Sequence, residues 1–471
     1  IIVGAGSAGC VLANRLSKDN KVNVLLLEAG GNDWNPWIHI PAGYFKTLHN
    51  PATDWCYKTT PEPALNGRSI EWPRGKVLGG SSSINGLLYI RGQDSDYNYW
   101  RQLGNKGWSA SDVLPYFKRA ENHSLGSSKF HGVGGPLSVE LARNERKISD
   151  ALISGAEELG IPKNKDFNGE NQEGIGFYQC TQKNGKRCSA AKAYLVPILD
   201  RDNLTVMTDT NINRIIIENK KAIGVECINK DGEYFKVNAN KEVLLSSGAF
   251  GSPQIMLRSE IGPAEEILKH DIEHQHDLPG VGKNLQDHID YLTVHRYNSM
   301  ELIGMSLKSI FFKFPFEILK YIFAKTGLFT STIAEAGGFI KSNEEKDIPD
   351  IQLHFIPTMV VDHGRTQLWG HGLGCHMCLL RPRSRGEVTL KSADPLEDPN
   401  IDPKFLSHPD DMKDMIAGYK KMMSIMNKES FSKYTSQHTM RPIDINDDSD
   451  IEQAIREEAD TVYHPVGTCK M

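Results

Sequence analysis

The run Ile1-Ile2-Val3-Gly4-Ala5-Gly6-Ser7-Ala8-Gly9, continued through Val11, Leu12, Ala13 and Leu16 to the largely apolar residues 22–27 and Glu28, decides the fold class. Residues 1–3 read as the end of a β-branched strand, and residues 22–27 as a buried parallel strand. Between them the apolar residues fall on the inner side of a short helix, closed by a polar turn at residues 17–20. Strand, glycine loop, helix and strand in that order form the α/β unit that binds a dinucleotide. Gly4 permits the tight turn, Gly6 lets backbone N–H groups approach a pyrophosphate, and Gly9 lets the helix pack on the strand. The helix N-terminus favours phosphate charge. Glu28 follows Gly9 by nineteen residues, close to the spacing of a carboxylate that accepts from ribose hydroxyls. NAD and FAD share this unit, so it does not choose between them.

Outward from this unit, 471 residues are enough for a multi-domain or large composite enzyme. The 54 Lys and Arg against 59 Asp and Glu leave a net charge of −5, which argues against a nucleic-acid or anionic-membrane binder. Apolar residues make up 39% of the chain, enough for a core and too many for disorder. Helical periodicity marks residues 111–121, 148–159, 411–426 and 450–459. Strands are expected at residues 204–207, 212–217, 222–227, 234–237, 243–245, 351–355 and 372–380. Residues 302–327 are the most apolar stretch, but Lys308, Lys313, Glu317, Lys320 and Lys325 interrupt it. A spanning helix would reject those charges, so an amphipathic helix pair is expected and no transmembrane segment.

Eight scattered cysteines fix no compartment. Cys375-His376-Met377-Cys378 is a single C-x-x-C within a strand pattern, read as buried thiols and not as a metal site. The run His270, His274, His276 and His288 has no compact ligand spacing and reads as a solvated loop; no metal is expected. Asn122-His123-Ser124 and Asn203-Leu204-Thr205 are glycosylation sequons that point to a secreted, extracellular protein. The chain opens inside a strand and stops soon after a histidine motif, which is the expectation for a piece of a longer protein.

A second glycine–serine loop carries more information: Arg74-Gly75-Lys76-Val77-Leu78-Gly79-Gly80-Ser81-Ser82-Ser83-Ile84-Asn85-Gly86. Its small residues and hydroxyls let backbone lie against a flat ring. Here the chain resembles the glucose–methanol–choline oxidoreductases, FAD enzymes that oxidise alcohols. Residues 75–92 are similar to that family's first signature, and residues 248–262 to its second, with Glu260 where the pattern has glycine. Leu278-Pro279-Gly280-Val281-Gly282-Lys283-Asn284-Leu285-Gln286-Asp287-His288 resembles the link to the substrate region. Ser384-Arg385-Gly386-Glu387-Val388 and Ile401-Asp402-Pro403 are similar to later landmarks, so the resemblance covers the whole chain. It extends to the insect branch named glucose dehydrogenases.

The resemblance implies a Rossmann-like FAD-binding domain interleaved with an α+β substrate-binding domain. Residues 1–288 would form the FAD-binding region, residues 289–455 the substrate region, and residues 456–471 the start of a return to the FAD domain. Gly4, Gly6, Ser7, Ala8 and Glu28 would hold the ADP half of FAD. Val77, Gly79, Ser81, Asn85, Gly86, Leu87 and Leu88 would line the flavin, and Ile212 would meet adenine through its backbone. Some relatives attach FAD through a histidine where this chain has Ile84, whose alkyl side chain forms no such bond, so FAD is expected to be non-covalent. Tyr463-His464-Pro465-Val466-Gly467-Thr468-Cys469 resembles the catalytic motif, with His464 the base for an alcohol proton. The family's second catalytic His or Asn would lie beyond Met471. The implied activity is oxidation of an alcohol or sugar by hydride transfer to flavin, with oxygen or a quinone-type compound as acceptor. A nicotinamide- or flavin-dependent reductase sharing only the first loop, and a non-enzymatic FAD-binding relative, remain as rivals.

Overall fold

The computed structural model describes residues 1–471 except 145, 362, 363, 365, 367, 436 and 437, and describes only the backbone of residue 438. A four-stranded parallel sheet has the order Leu204–Met207, Val24–Leu27, Ile2–Val3, Leu244–Leu245. Strand alternation directs Ile2 and Val3 to opposite faces. Ile2 packs with Cys10 and Ala13 of the helix Ser7–Leu16, while Val3 packs with Ile212, Val225 and Ile255. Both faces are therefore covered, which is why the strand tolerates no polar residue. Ile212 and Val225 come from an antiparallel three-stranded meander, Thr210–Glu218, Lys221–Asn229 and Tyr234–Asn238. Its first turn places Asn219 and Lys220 at φ 51° and 62°, the left-handed pair that suits a tight hairpin.

The second layer system is a twisted antiparallel sheet. Its main order is His438–Thr439, Ile289–Arg296, Gly370–Leu379, Ile351–Ile356, Ala336–Ile340, Gly174–Phe177. The short strand Asp460–Thr461 pairs with the start of Ile289–Arg296, setting Thr461 opposite Ile289. Ile351, Leu353 and Phe355, with Leu373, Cys375, Met377 and Leu379, face a buried layer made by the helices Lys147–Glu157, Pro409–Met426, Glu429–Thr435 and Asp448–Glu458. The alternate residues Gln352, His354, Ile356 and His376 point the other way. Gly174–Phe177 comes from among the cofactor-side segments and the helix Lys147–Glu157 from before it, so the two systems interleave along the chain.

Residues 302–327 depart from the expected helix pair. A wide π-type turn, Ser309–Lys313, runs directly into the helix Phe314–Ala324, which ends at Lys325 in the left-handed region (φ 52°). Among the described residues no helix is long and apolar enough to cross a membrane. Cys375 and Cys378 are buried and, three apart in one strand, point to opposite faces of the sheet, so they cannot share one ion.

The first loop depends on one close approach. A Cβ on Gly9 would lie 1.9 Å from the Gly4 carbonyl oxygen. Gly9→Ala should therefore destabilise the fold by about 1–3 kcal/mol or more, read as a lower thermal midpoint. An unchanged midpoint would contradict the tight helix–strand packing.

Candidate active site

Two neighbouring cavities lie where the layer systems meet. The first, about 510 Å³, takes Gly4, Gly6, Ser7, Ala8, Glu28, Ser81 and Ile212 into its walls. Glu28 is buried at the end of Val24–Leu27; Ala5 N donates to its Oε2 at 2.8 Å and Gly30 N to its Oε1 at 2.9 Å. Burial pushes its carboxyl up to about 7 against these two bonds. Each oxygen keeps a further lone pair for a ligand hydroxyl. A Cβ on Gly6 would meet no protein atom within 4 Å, and the residue opens on the cavity. The turn therefore leaves room for a group lying on the N-terminus of the helix, as a pyrophosphate would. These residues fit the ADP half of FAD.

The second cavity, about 780 Å³, has Ile84, Asn85, Gly86, Leu87 and Leu88 on one wall and the polar-facing side of the antiparallel sheet on the other. Ser81 borders the first cavity and Ile84 the second, so one loop separates and joins them. Leu87 holds φ 64°, and Asn85 Oδ1 accepts from Leu87 N at 3.1 Å and from buried Arg187 Nη1 at 2.6 Å. Val77 and Gly79 line neither cavity. Val77 packs with Ile38 and Ile84, and Gly79 N donates to Ala5 O at 2.8 Å, tying the second glycine loop to the first.

His464 opens into the second cavity opposite this loop, and Pro465 borders the first. Three bonds shape the turn that presents it. Asp287 Oδ1 accepts from His464 N at 2.7 Å, Asp287 Oδ2 accepts from Thr461 Oγ1, and Arg74 Nη2 donates to Tyr463 O at 2.5 Å. Tyr463 is held at φ 68°, a conformation a tyrosine adopts only when its surroundings impose it. The imidazole meets His288 edge-on, with Nδ1 atoms 3.4 Å apart. The ring is accessible from the cavity yet deep among protein atoms. Burial, then His288 and Arg74, push its pKa down to about 3, so it is neutral at physiological pH. Burial and Arg381 push His288 down to about 4.

The solvated-loop reading of the histidine run is corrected at His288, which belongs to the cavity; the spacing was uninformative because its partner lies 176 residues away. The sequence also missed Asp287, Asp290 and His376. Asp290 is buried and accepts from His376 Nδ1 at 2.5 Å across neighbouring strands. Burial opposes a charge on His376, but Asp290 outweighs it and raises the pKa. Beside them, burial drives His354 well below the usual histidine value. Only the i, i+2 alternation of the strands, combined with their register, could have brought these rings to one face. Behind the wall, Glu121 accepts from Arg91 Nη2 at 2.8 Å and His131 bridges Glu121 to Asp166. Burial opposes the charge on His131, but those bonds push it up to about 9. Glu121, His123 and His131 lie within one ion's reach, yet two cations already match Glu121, and the cluster acts as a brace.

Models of the GMC oxidoreductase family match residues 1–290 and 382–471. The chain belongs to this family. It is 45% identical to an alcohol dehydrogenase [acceptor] of Pseudomonas putida, over all of this chain and 86% of that protein. It is 38% identical to the mitochondrial choline dehydrogenase of Homo sapiens, over all of this chain and 80% of that one. The solved structure of a pyridoxine 4-oxidase from Mesorbium loti superposes with a TM-score of 0.88 at 27% identity, covering all of this chain and 88% of that one. A formate oxidase superposes with a TM-score of 0.90 at 26% identity, covering 99% and 87%. The protein is an FAD-dependent oxidoreductase of CH–OH groups, with a Rossmann-like FAD domain and a substrate-binding domain.

Gly6→Ala should leave thermal stability near that of the parent, because its Cβ meets no protein atom, yet weaken FAD retention by filling the cleft. Equal FAD affinity would contradict this placement. Burial raises Asp287 to about 7, above the value of an unfolded carboxyl. The folded chain therefore holds that proton more tightly, and ionisation removes stability as pH rises from about 4 to about 7. Asp287→Asn suffers no such loss, so urea melts at about pH 5 and about pH 8 should show the variant gaining on the parent at the higher pH. A difference independent of pH would contradict a buried, titrating Asp287.

Proposed function

We propose that this protein oxidises an alcohol with an apolar body in the second cavity, using His464 to take the hydroxyl proton, and passes electrons to a quinone-type acceptor. The observation that carries the reading is the placement of His464, on a turn fixed by its backbone bond to Asp287 and facing the Asn85–Leu88 wall across a cavity of substrate size, where burial lowers its pKa. When bound, FAD supplies the two-electron sink that takes hydride from the carbinol carbon. The protein must remove the hydroxyl proton as that hydride leaves, and a neutral histidine within reach does so without prior deprotonation. Edge-on His288, and then Arg74, disfavour a charged ring in the resting site.

The apolar part of the lining, including Phe45, Leu88, Phe339 and Ile356, supports a chain or ring substrate over a sugar, and so speaks against the glucose-dehydrogenase branch. Asp290–His376 and Arg381–Asp96 supply the polar groups that would fix its orientation. The Pseudomonas relative is named an alcohol dehydrogenase [acceptor], which leaves its acceptor unspecified, whereas other relatives are named oxygen-dependent choline dehydrogenases; the quinone-type acceptor is our reading. Buried Ile84 at the loop supports non-covalent FAD. A secreted location rests on exposed Asn122, since the Asn203 amide already donates to Ser17, Asp19 and Val22 carbonyls.

His464→Ala should keep a bound flavin spectrum while slowing its bleaching by alcohol about 10²–10⁴-fold, measured by stopped flow. Bleaching as fast as in the parent would remove His464 from the reaction. Acid precipitation should leave free FAD in the supernatant; flavin in the pellet would overturn the non-covalent reading.

A further inference from the structure

We propose that residues 307–325 dock this protein onto the surface of a lipid bilayer. No residue of the helix Phe314–Ala324 is buried. Phe312, Phe316, Leu319 and Phe323 fall at i, i+4, i+7 and i+11, one continuous stripe, and Phe312 and Phe323 are 76% and 82% exposed. Phe311, Ile318 and Ile322 form a second exposed stripe beside it. Lys313 and Glu317 turn inward, while Lys308, Lys320 and Lys325 stay at least partly exposed beside the stripes, Lys320 Nζ lying 4.7 Å from the Phe316 ring centroid. Lys313 Nζ donates to Leu302 O at 2.8 Å, and Glu317 accepts from Leu328 N at 2.6 Å and from Lys320 Nζ at 2.9 Å. A surface helix normally does the opposite. The resulting patch, on the order of several hundred Å² for seven such side chains, exceeds what a protein facing only water usually exposes.

Charge selects the occupant. Residues 307–325 hold Lys308, Lys313, Lys320 and Lys325 against Glu317 alone, within a chain of net charge −5. An aromatic face flanked by lysines suits the headgroup boundary of an anionic membrane, which responds to the local charge and not to the chain's total. A second copy in a two-fold arrangement would instead bring like lysine fringes together. The helix packs on Leu328–Thr330, which packs on Pro41–Lys46. Tyr44 and Phe45 of that segment line the second cavity, so docking sets its rim against lipid, where apolar alcohols and quinone-type acceptors partition. The helix lies on the bilayer and does not span it.

The test is flotation of the FAD-loaded full chain with vesicles of phosphatidylcholine alone and of phosphatidylcholine with phosphatidylglycerol in equal parts. The chain should float with the mixed vesicles, less so at high salt and less so without phosphatidylglycerol. The triple variant Phe312→Ser/Phe316→Ser/Phe323→Ser should partition about tenfold more weakly or worse, with the parent's melting curve and the parent's flavin bleaching by alcohol. Failure of the mixed vesicles to float the parent, or equal flotation of the triple variant, overturns the proposal. A concentration-dependent dimer of the parent that the same variant dissociates, without flotation, overturns it in favour of a second copy. Because bleaching is followed separately, loss of flotation and loss of the alcohol-oxidising reading are distinguishable.

Discussion

The buried carboxylate of Asp287 is the pin on which the site depends. It closes the segment before the large sheet and takes the backbone N–H of His464 and the hydroxyl of Thr461 from the other end of the chain. Gln286 and Val466 exchange backbone bonds at 3.0 and 2.9 Å, and Gly282 N donates to Thr468 O at 2.8 Å, so the pin sits in a short ladder. Thr468 Oγ1 continues it to Ala249 O, at the helix that leaves the parallel sheet. The turn bearing His464 is thus held by both layer systems at once. Leaving the buried N–H and hydroxyl without an acceptor would cost about 1–3 kcal/mol each, which is why an acid sits where water is scarce.

That pin gives the neighbouring groups their chemistry. Arg74 balances Asp287 and also holds the Tyr463 carbonyl, so the left-handed residue before His464 is restrained from both sides. With its backbone fixed, His464 is held edge-on to His288, and burial among protein atoms, then His288 and Arg74, lower its pKa. The opposite wall follows from strand alternation: the residues that do not enter the helix-covered core must face the cavity, and there Asp290 meets His376. Packing and site are two faces of one sheet.

Much of this was legible in the sequence where the determinants are local. Gly4, Gly6, Gly9 and Glu28 specify their loop within 28 residues, and the structure places Gly4, Gly6 and Glu28 in one cavity wall. Asn85, Gly86, Leu87 and Leu88 reach the second cavity together with His464, whereas Val77 and Gly79 lie behind it because they tie loops to each other. What could not be read were pairs set by tertiary register, Asp287 with His464 and Asp290 with His376, since neither partner predicts the other along the chain. Glu260 shows a different limit. It occupies a glycine position of the family pattern and adopts φ 69°, with Arg214 and Gln275 binding its carboxylate. Residues 302–327 mark a third: the interrupting charges suggest an amphipathic helix pair, where the structure has one helix whose apolar face turns outward.

On the proposed reading, the turn held by Asp287 presents an unprotonated His464 to the alcohol. The most direct measurement is the stopped-flow rate of flavin bleaching by saturating alcohol from about pH 5 to about pH 8. A base whose pKa is pushed down to about 3 stays deprotonated across that window, so the rate should be level on the acid side. A rate falling about tenfold per unit below about pH 6.5, as an unperturbed histidine base dictates, would contradict the account.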